Sequence, residues 1–434
     1  MIAEVIIKVY KLTSLLLVQA VILAACVLTN AAANAATYYV ATTGNDSNPG
    51  TFAQPFRTIQ KGTSSLQSGD TLYLRGGTYD QEITSVFPGG SSGAHTIISG
   101  YASENPVLRP TTDPGGVGYL VFNFNAFVTY QNFTIDVRGL PLPPAGQLGG
   151  TNCMALYGNN LVSGITCIAP SHDGIVIFGD NITVRNSLVQ DCGAVTTSLG
   201  DTKGIGIHGS GTNVLVEGNI VEGCRAGGIA LHQGAQTNVT VRNNIIRNFG
   251  TKSTWPQTPG GSPQYGTGIT FGHGTNYYAY NNLIYAGGNA NNGAANQCFL
   301  GWGDGRGGGS YWYFYNNTCH DMDVGVQLYD IVTNMTARNN IFSNMGRVDL
   351  LGTGANNTNS NYATNPVFVN PAAGNFHLKP GSPGIGLGVN LSSVFTTDLD
   401  GVSRGSSYDI GAYQYVSSGA VSRPSTPVNL QVGR

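Results

Sequence analysis

Two neighbouring stretches restate one pattern and decide the fold: "KGIGIHGSGTNVLVEGNIVEG" (203–223) and "GGIALHQGAQTNVTVRNNIIRN" (227–248). In each, a strand with alternating apolar residues follows a glycine, a turn rich in Gly and Asn comes next, and a second strand ends at Asn. Units of this kind recur from about 150 to 345, beginning with "CMALYG" at 153 and ending with "GVQLYD" at 325.

A repeated unit of strands without helices predicts a solenoid, because one coil cannot bury its apolar face alone and must stack on its neighbours. The asparagine at the end of each second strand is expected to form a side-chain ladder along the stack. Its expected members are Asn186, Asn219, Asn244, Asn282, Asn317 and Asn340. We therefore predict an all-β fold, a right-handed parallel β-helix, with a short N-terminal capping helix within 55–79 and an irregular C-terminal cap over about 361–415.

The composition agrees with a turn-rich β protein, since 62 of the 434 residues are Gly and only 10% are charged. The formal net charge of −2 gives no reason to expect a nucleic-acid partner. Six cysteines follow Cys26, which permits disulfides in an exported chain, and none has zinc-like spacing. Cys192 and Cys224 fall at equivalent places of neighbouring coils, where buried thiols and a disulfide are equally good interpretations.

The first 36 residues have the features of a signal peptide: Lys8 and Lys11 precede an apolar run, and an Ala-x-Ala match ends at Ala35. We predict a secreted or cell-surface protein with a signal peptide over 1–36, a β-helix domain over 37–415 and a linker or tail over 416–434. The alternative is a lipid anchor at Cys26, which ends a lipoprotein-like "LAAC". No later segment has the roughly 20 apolar residues that span a bilayer, so no membrane span is expected.

Aromatic side chains recur at one outward position of the repeat. Parallel in-register stacking places equivalent residues of successive coils about 4.8 Å apart, so this position becomes a file of rings beside a file of small residues. Such a groove suits a polysaccharide, and its predicted substrate-binding residues are Tyr157, Phe178, His273, Trp302 and Tyr329. The alternative is that these rings lie beneath loops as a satellite hydrophobic cluster.

The sparse charge of the repeats gathers at one place, where Asp173 and Lys203 precede strands of neighbouring coils. The alternative interpretation is a surface ion pair of at most about 1 kcal/mol with ordinary stacked histidines. The catalytic interpretation takes this patch as an active site. Its candidate catalytic residues are Lys203, His208, His232, Arg225 and Asp173.

The two ends of the chain add a resemblance. The opening "TYYVATTGNDSNPGTFAQPFRTIQKGTSSLQSGDTLYLRGGTY" (37–79) resembles the start of exported pectin-lyase-fold proteins, including family 9 pectate lyases. The ending "NPVFVNPAAGNFHLKPGSPGIGLG" (365–388) with "TDLDGVSRGSSYDIGAYQY" (397–415) resembles a choice-of-anchor Q segment. The resemblance implies the fold strongly and an activity weakly, because this fold carries lyases, hydrolases, epimerases and adhesins.

What the resemblance implies for activity is a polysaccharide lyase that acts on an acidic uronate polymer by β-elimination. The base would be Lys203, activated by a neighbour such as Arg225, with His208 or His232 as competing candidates. The alternative role of Arg225 is to hold the substrate carboxylate. Similar pectate lyases hold calcium with clustered aspartates, whereas Asp173 and Asp201, the ligands expected here, are scattered in the sequence.

Two other functions remain open from the sequence. A glycoside hydrolase needs two carboxyl groups roughly 5 to 9 Å apart, which Asp173 and Asp201 would have to supply, and a uronate epimerase is possible on the same fold. The other alternative is a non-catalytic glycan-binding or adhesive β-helix. In each case the partner is a polysaccharide, and a monomer is expected.

Overall fold

The computed structural model describes residues 35–84, 86–112, 118–140, 150–193, 202–231, 234–250, 266–287, 296–301, 308–328, 332–352 and 354–417. The chain divides into Met1–Ala36 and Thr37–Arg434. Nearly all of the predicted signal peptide and tail lies outside the described residues. So do four predicted site residues, which are Asp201, His232, Trp302 and Tyr329.

The described residues are organised as short strands. The first half contains β1 (Thr37–Val40), β2 (Thr71–Leu74), β3 (Gly77–Tyr79), β4 (Thr96–Gly100), β5 (Pro106–Leu108), β6 (Gly118–Phe122), β7 (Val128–Gln131), β8 (Thr134–Asp136), β9 (Thr151–Leu156), β10 (Leu161–Ser163), β11 (Thr166–Ile168), β12 (Ile175–Ile177), β13 (Thr183–Arg185), β14 (Leu188–Gln190) and β15 (Lys203–Ile207). The second half contains β16 (Gly211–Glu217), β17 (Ile220–Glu222), β18 (Gly227–Leu231), β19 (Gln236–Arg242), β20 (Ile245–Arg247), β21 (Thr267–Phe271), β22 (Gly274–Tyr280), β23 (Leu283–Tyr285), β24 (Gln297–Gly301), β25 (Gly309–Tyr315), β26 (Thr318–Leu328), β27 (Thr336–Arg338), β28 (Ile341–Leu350), β29 (Thr358–Ser360), β30 (Phe368–Asn370) and β31 (Asn375–Leu378).

The strands β1 to β29 pair in parallel in three stacks, so each coil adds one strand to each stack. The first stack runs β1-β2-β4-β7-β10-β13-β16-β19-β22-β25-β27-β29. The second contains β3, β5, β8, β11, β14, β17, β20 and β23, and the third contains β6, β9, β12, β15, β18, β21 and β24. The long strands β26 and β28 continue both of these stacks. The predicted right-handed parallel β-helix is confirmed, and its stacks begin well before residue 150.

The glycine that opens each repeat sits where two stacks meet at a corner. A Cβ on Gly204 would lie 2.2 Å from Cγ1 of Val221, and one on Gly228 would lie 2.3 Å from Cγ2 of Ile246. The aliphatic side chain of the second stack therefore fills the space that a side chain would need. Because Gly204 and the buried Ile205 both face the core, Lys203 is left on the outer side of its strand.

The asparagine ladder forms at the corner between the first and second stacks. Asn219 donates to Asn244 Oδ1 at 3.0 Å, and the same contact continues through Asn282 and Asn317 to Asn340. The prediction was wrong for Asn186, which adopts φ 49° one residue before the ladder position. Ser187 occupies that position instead, and its amide donates to Asn219 Oδ1 at 3.0 Å.

The segments before and after the stacks both pack against the coils. Helix α1 (Ile59–Ser64) is capped by Thr58, and a Cβ on its buried Gly62 would lie 2.7 Å from Val40, so the helix packs on the first coil. Single turns of 3₁₀ helix occur at Val137–Gly139 and Pro371–Ala373. After the stacks, β30 and β31 form an antiparallel pair, and the buried Arg404 donates at 2.9 Å to Oδ1 of Asn281 in the turn between β22 and β23.

The six cysteines form three disulfides, Cys153–Cys167, Cys192–Cys224 and Cys298–Cys319. The alternative of a disulfide between Cys192 and Cys224, left open by the sequence, is therefore the one that the structure contains. Within the described ranges, no helix is both long and apolar enough to cross a membrane.

Candidate active site

The outer face of the third stack carries the predicted site, and we call it the site face. The register confirms two of the columns that the repeat alignment predicted. The first column contains Tyr119 and Asn152 on β6 and β9, then Asp173, then Lys203, Gly227, Thr267, Gln297 and Val324 on the following strands. The middle column contains Phe122, Ala155, Val176, Gly206, Ala230, Thr270, Leu300 and Gln327.

Asp173 is the centre of the site face, and its side chain is only 1% exposed. Its Oδ1 accepts the backbone N–H of Lys203 at 2.7 Å, while its Oδ2 lies 3.1 Å from His208 Nε2 and 3.6 Å from His172 Nδ1. Burial raises the pKa of Asp173, but the His208 hydrogen bond, the two imidazoles and the Lys203 amide outweigh it and hold the pKa below the ordinary value. Asp173 is therefore an ionised carboxylate next to two histidines.

Gly206 allows His208 to reach Asp173. A Cβ on Gly206 would lie 2.7 Å from His208 Nε2 and 3.3 Å from Asp173 Oδ2. Any side chain here would occupy the space through which the imidazole leans over its own strand to the carboxylate of the preceding coil. Gly206 is thus part of the site.

Asn152 anchors the cluster from the coil before. Its Oδ1 accepts the Asp173 N–H at 3.0 Å, its Nδ2 donates to the Gly118 carbonyl at 3.1 Å, and the same Oδ1 lies 3.3 Å from His172 Nδ1. Neither Asn152 nor His172 was among the site residues predicted from the sequence. Both are fixed by hydrogen bonds between coils, which leave no periodic signal in the sequence.

A file of aromatic rings leads to His208. The ring centroids are 4.8 Å apart for Phe124 and Tyr157, 5.4 Å for the stacked Tyr157 and Phe178, and 6.0 Å for Phe178 and His208. Phe124 is 63% exposed, and Tyr157 and Phe178 are half-buried. The structure thus places the predicted Tyr157 and Phe178 beside the charged patch, and it adds Phe124, which precedes the quoted repeats.

The other predicted residues are less accessible. Lys203 is 5% exposed and extends toward Gly227, on which a Cβ would lie 3.5 Å from the lysine Cδ. Arg225 is nearly buried in the turn after the Cys192–Cys224 disulfide, and burial lowers its pKa. His273 was expected in the exposed file of aromatic rings, but it is buried in the turn between β21 and β22.

The residues described around Asp173 do not fit a calcium ion. Calcium takes six to eight oxygen ligands, whereas both Asp173 oxygens here face N–H groups or imidazole nitrogens. No group of three or more His, Cys, Asp or Glu side chains able to hold a metal occurs in the described part of the chain. The other predicted ligand, Asp201, lies outside it.

Fold and site face together define the class: a right-handed parallel β-helix of the pectate-lyase type. The sequence profile described as "Pel9A-like, right handed beta helix region" matches residues 38–299. The match covers more than half of the chain, and the chain belongs to this family.

Matches to individual known proteins are more distant. Pectate lyase PEL9 of Emericella nidulans is 32% identical over 82 residues, which is 19% of this chain and 20% of that protein, so the match spans about a fifth of the relative's length. The crystal structure of pectate lyase Pel9A has a TM-score of 0.60 at 18% identity and covers 89% of this chain and 98% of its own. A rhamnogalacturonan lyase has a TM-score of 0.56 at 15% identity over 76% of this chain and 86% of its own. At such identities, these structures establish the shared fold.

Proposed function

We propose that this protein is a polysaccharide lyase that cleaves an acidic uronate polysaccharide by β-elimination. The observation that carries the proposal is the contact between His208 and the buried, ionised Asp173, at 3.1 Å, at the end of the ring file. A carboxylate in this position orients an imidazole and stabilises its protonated form. The site face therefore places His208, a group capable of proton transfer, beside aromatic rings of the kind that pack against sugars.

The β-elimination requires proton transfer at two atoms of the substrate. The proton at C5, next to the uronic carboxylate, must be removed, and the oxygen that leaves C4 must be protonated. His208 is the proton-transfer group that the geometry supports best, because its side chain is 15% exposed and held by Asp173. Lys203, which is more deeply buried, and His232 remain predicted alternatives for the base, and Arg225 remains the predicted partner of the substrate carboxylate.

The ring file supports a polymeric substrate. Phe124, Tyr157 and Phe178 follow one another along the stack axis at contact distance, so several sugar units of one chain can pack against them. We propose that the protein acts outside the cell as a monomer, after removal of the signal peptide predicted over 1–36. The rings alone would equally suit a non-catalytic glycan-binding protein, which is the second candidate.

The test is a panel of uronate polymers assayed for the ultraviolet absorbance of the unsaturated product. Wild type should produce it from at least one polymer, and His208→Ala should abolish product while retaining polymer binding. Binding without product on every polymer would favour the glycan-binding candidate, and new reducing ends without absorbance would favour a hydrolase. A chelator arm tests the predicted calcium at Asp173 and Asp201: a requirement for calcium would show that residues beyond the described ones complete a metal site.

A further inference from the structure

His172 is the second histidine beside Asp173. It belongs to the segment between β11 and β12, and its side chain is 18% exposed. Its Nδ1 lies 3.3 Å from Asn152 Oδ1 and 3.6 Å from Asp173 Oδ2. Two partly exposed imidazoles thus flank the same carboxylate oxygen.

The hydrogen bonds fix the tautomer of His172. The Asn152 amide is oriented by two backbone contacts, because its oxygen accepts the Asp173 N–H and its nitrogen donates to the Gly118 carbonyl. His172 Nδ1 therefore faces two oxygen acceptors and carries the hydrogen. The remaining nitrogen, Nε2, has a lone pair, and it has no hydrogen-bond partner among the described residues.

His208 has the opposite arrangement. Its Nε2 faces Asp173 Oδ2 and carries the hydrogen, at 3.1 Å, closer than the 3.6 Å of His172. Of the two imidazoles, His208 thus makes the closer contact with the ionised carboxylate, and that contact is a charge-assisted hydrogen bond. One histidine is thus set up to accept a proton and the other to give one.

We propose that His172 is a second catalytic residue, the base of the elimination, and that His208 is its acid; this inference rests on the proposed lyase function. His172 Nε2 takes the proton from C5, the C–H electron pair forms the C4=C5 double bond, and the C4–O4 bond breaks. The leaving oxygen keeps that bond's electron pair and takes a proton from the His208 imidazolium. Solvent then returns a proton to His208 and removes one from His172, so the cycle balances. Both reacting positions are on neighbouring carbon atoms, which suits two rings that share one carboxylate.

Deuterium exchange separates the two roles. The assay uses D₂O and a uronate polymer that the wild type cleaves. In it, His172→Gln should lower both product formation and hydrogen–deuterium exchange at C5 by about 10² to 10⁴-fold, the usual range for loss of a proton-transfer group. His208→Gln should stop cleavage but keep C5 exchange, because the base remains. His377→Gln is the matched control, since His377 also pairs with a carboxylate, Asp400, at 2.7 Å, in the C-terminal cap.

The pH profile distinguishes catalysis from a structural role. A general base acts only while it is unprotonated, so the acidic limb of the wild-type kcat/KM profile should be absent from the residual activity of His172→Gln. The groups facing His172 are Asp173 and Asn152, with Gly150 packed on its Cβ, and the other titratable groups of the site are His208, Lys203 and Tyr119. Thermal unfolding of His172→Gln and of His172→Asn shows which variant keeps the fold.

Unchanged cleavage in a folded His172 variant would overturn the inference and leave the lyase proposal intact. So would C5 exchange that survives His172→Gln but is lost in His208→Gln, because the roles would then be reversed. A wild type that forms no unsaturated product from any uronate polymer would instead overturn the lyase proposal itself, and the assignment of His172 with it.

Discussion

Two histidine–carboxylate pairs of this protein differ in their surroundings more than in their geometry. His377 Nε2 lies 2.7 Å from Asp400 in the C-terminal cap, and His208 Nε2 lies 3.1 Å from Asp173 on the site face. The side chains of the cap pair are 43% and 35% exposed, whereas those of the site pair are 15% and 1% exposed. The shorter contact is the one in water, so distance alone does not mark the functional pair.

Burial changes what a carboxylate can do for its histidine. Water screens the exposed cap pair, and such pairs contribute little to stability. Asp173 is removed from water, so its charge acts on the imidazoles through a medium of lower polarity. The Lys203 amide satisfies its other oxygen and prevents the carboxylate from turning away. The site pair therefore combines a fixed position with a strong local field.

The largest difference between the pairs should come from neutralising each carboxylate. Asp173→Asn removes the negative charge that His208 contacts at 3.1 Å, and we expect kcat/KM on a polymer that the wild type cleaves to fall by about 10² to 10⁴-fold. Asp400→Asn should leave the rate at the wild-type value. Initial rates of unsaturated product measure both variants. Equal rates in the two would show that the buried pair takes no part in the reaction.

A smaller loss is expected when the carboxylate stays and only the approach of His208 is blocked. Gly206→Ala places a methyl group 2.7 Å from His208 Nε2, so the ring must move away from Asp173. Displacements of about 1 Å at an active site cost up to about 10²-fold in rate, and we expect a loss between about tenfold and that value. Gly93→Ala is the matched control, because a Cβ there meets nothing within 4 Å. A wild-type kcat/KM in Gly206→Ala would refute the role of this contact.

The sequence predicts the structural features that recur in every coil, but few of the contacts that occur at one place only. Alternation and recurring asparagines were enough for the β-helix, and stacking the repeats placed Asp173 next to Lys203 and Phe178 next to His208. His172 was not selected because its position is decided by contacts between coils, which leave no periodic signal in the sequence. His273 was misplaced because it lies in the short turn where the chain passes directly into β22 at Gly274, with φ +132°, and this turn is buried.

The stability of the fold should depend on pH through the buried carboxylate. The pKa of Asp173 in the folded state lies below its ordinary value of 3.8, so its contribution to stability is present above that pH and is lost as pH falls through the folded-state pKa. Asparagine resembles the protonated acid. The thermal midpoint of Asp173→Asn should therefore lie a few degrees below wild type near neutral pH and approach it in strong acid. A difference that stays constant down to strong acid would contradict this origin.

The smallest effect is expected when the exposed cap pair is broken. His377→Gln removes an ion pair whose two members are both more than a third exposed, so the free energy of unfolding should change by less than about 1 kcal/mol. Added salt should reduce even this change, because it screens charges that water already reaches. Denaturant unfolding of His377→Gln and wild type at low and high salt measures both quantities. A larger loss that does not respond to salt would mean that packing of the His377 ring on Tyr413, at 4.1 Å between centroids, matters more than its charge.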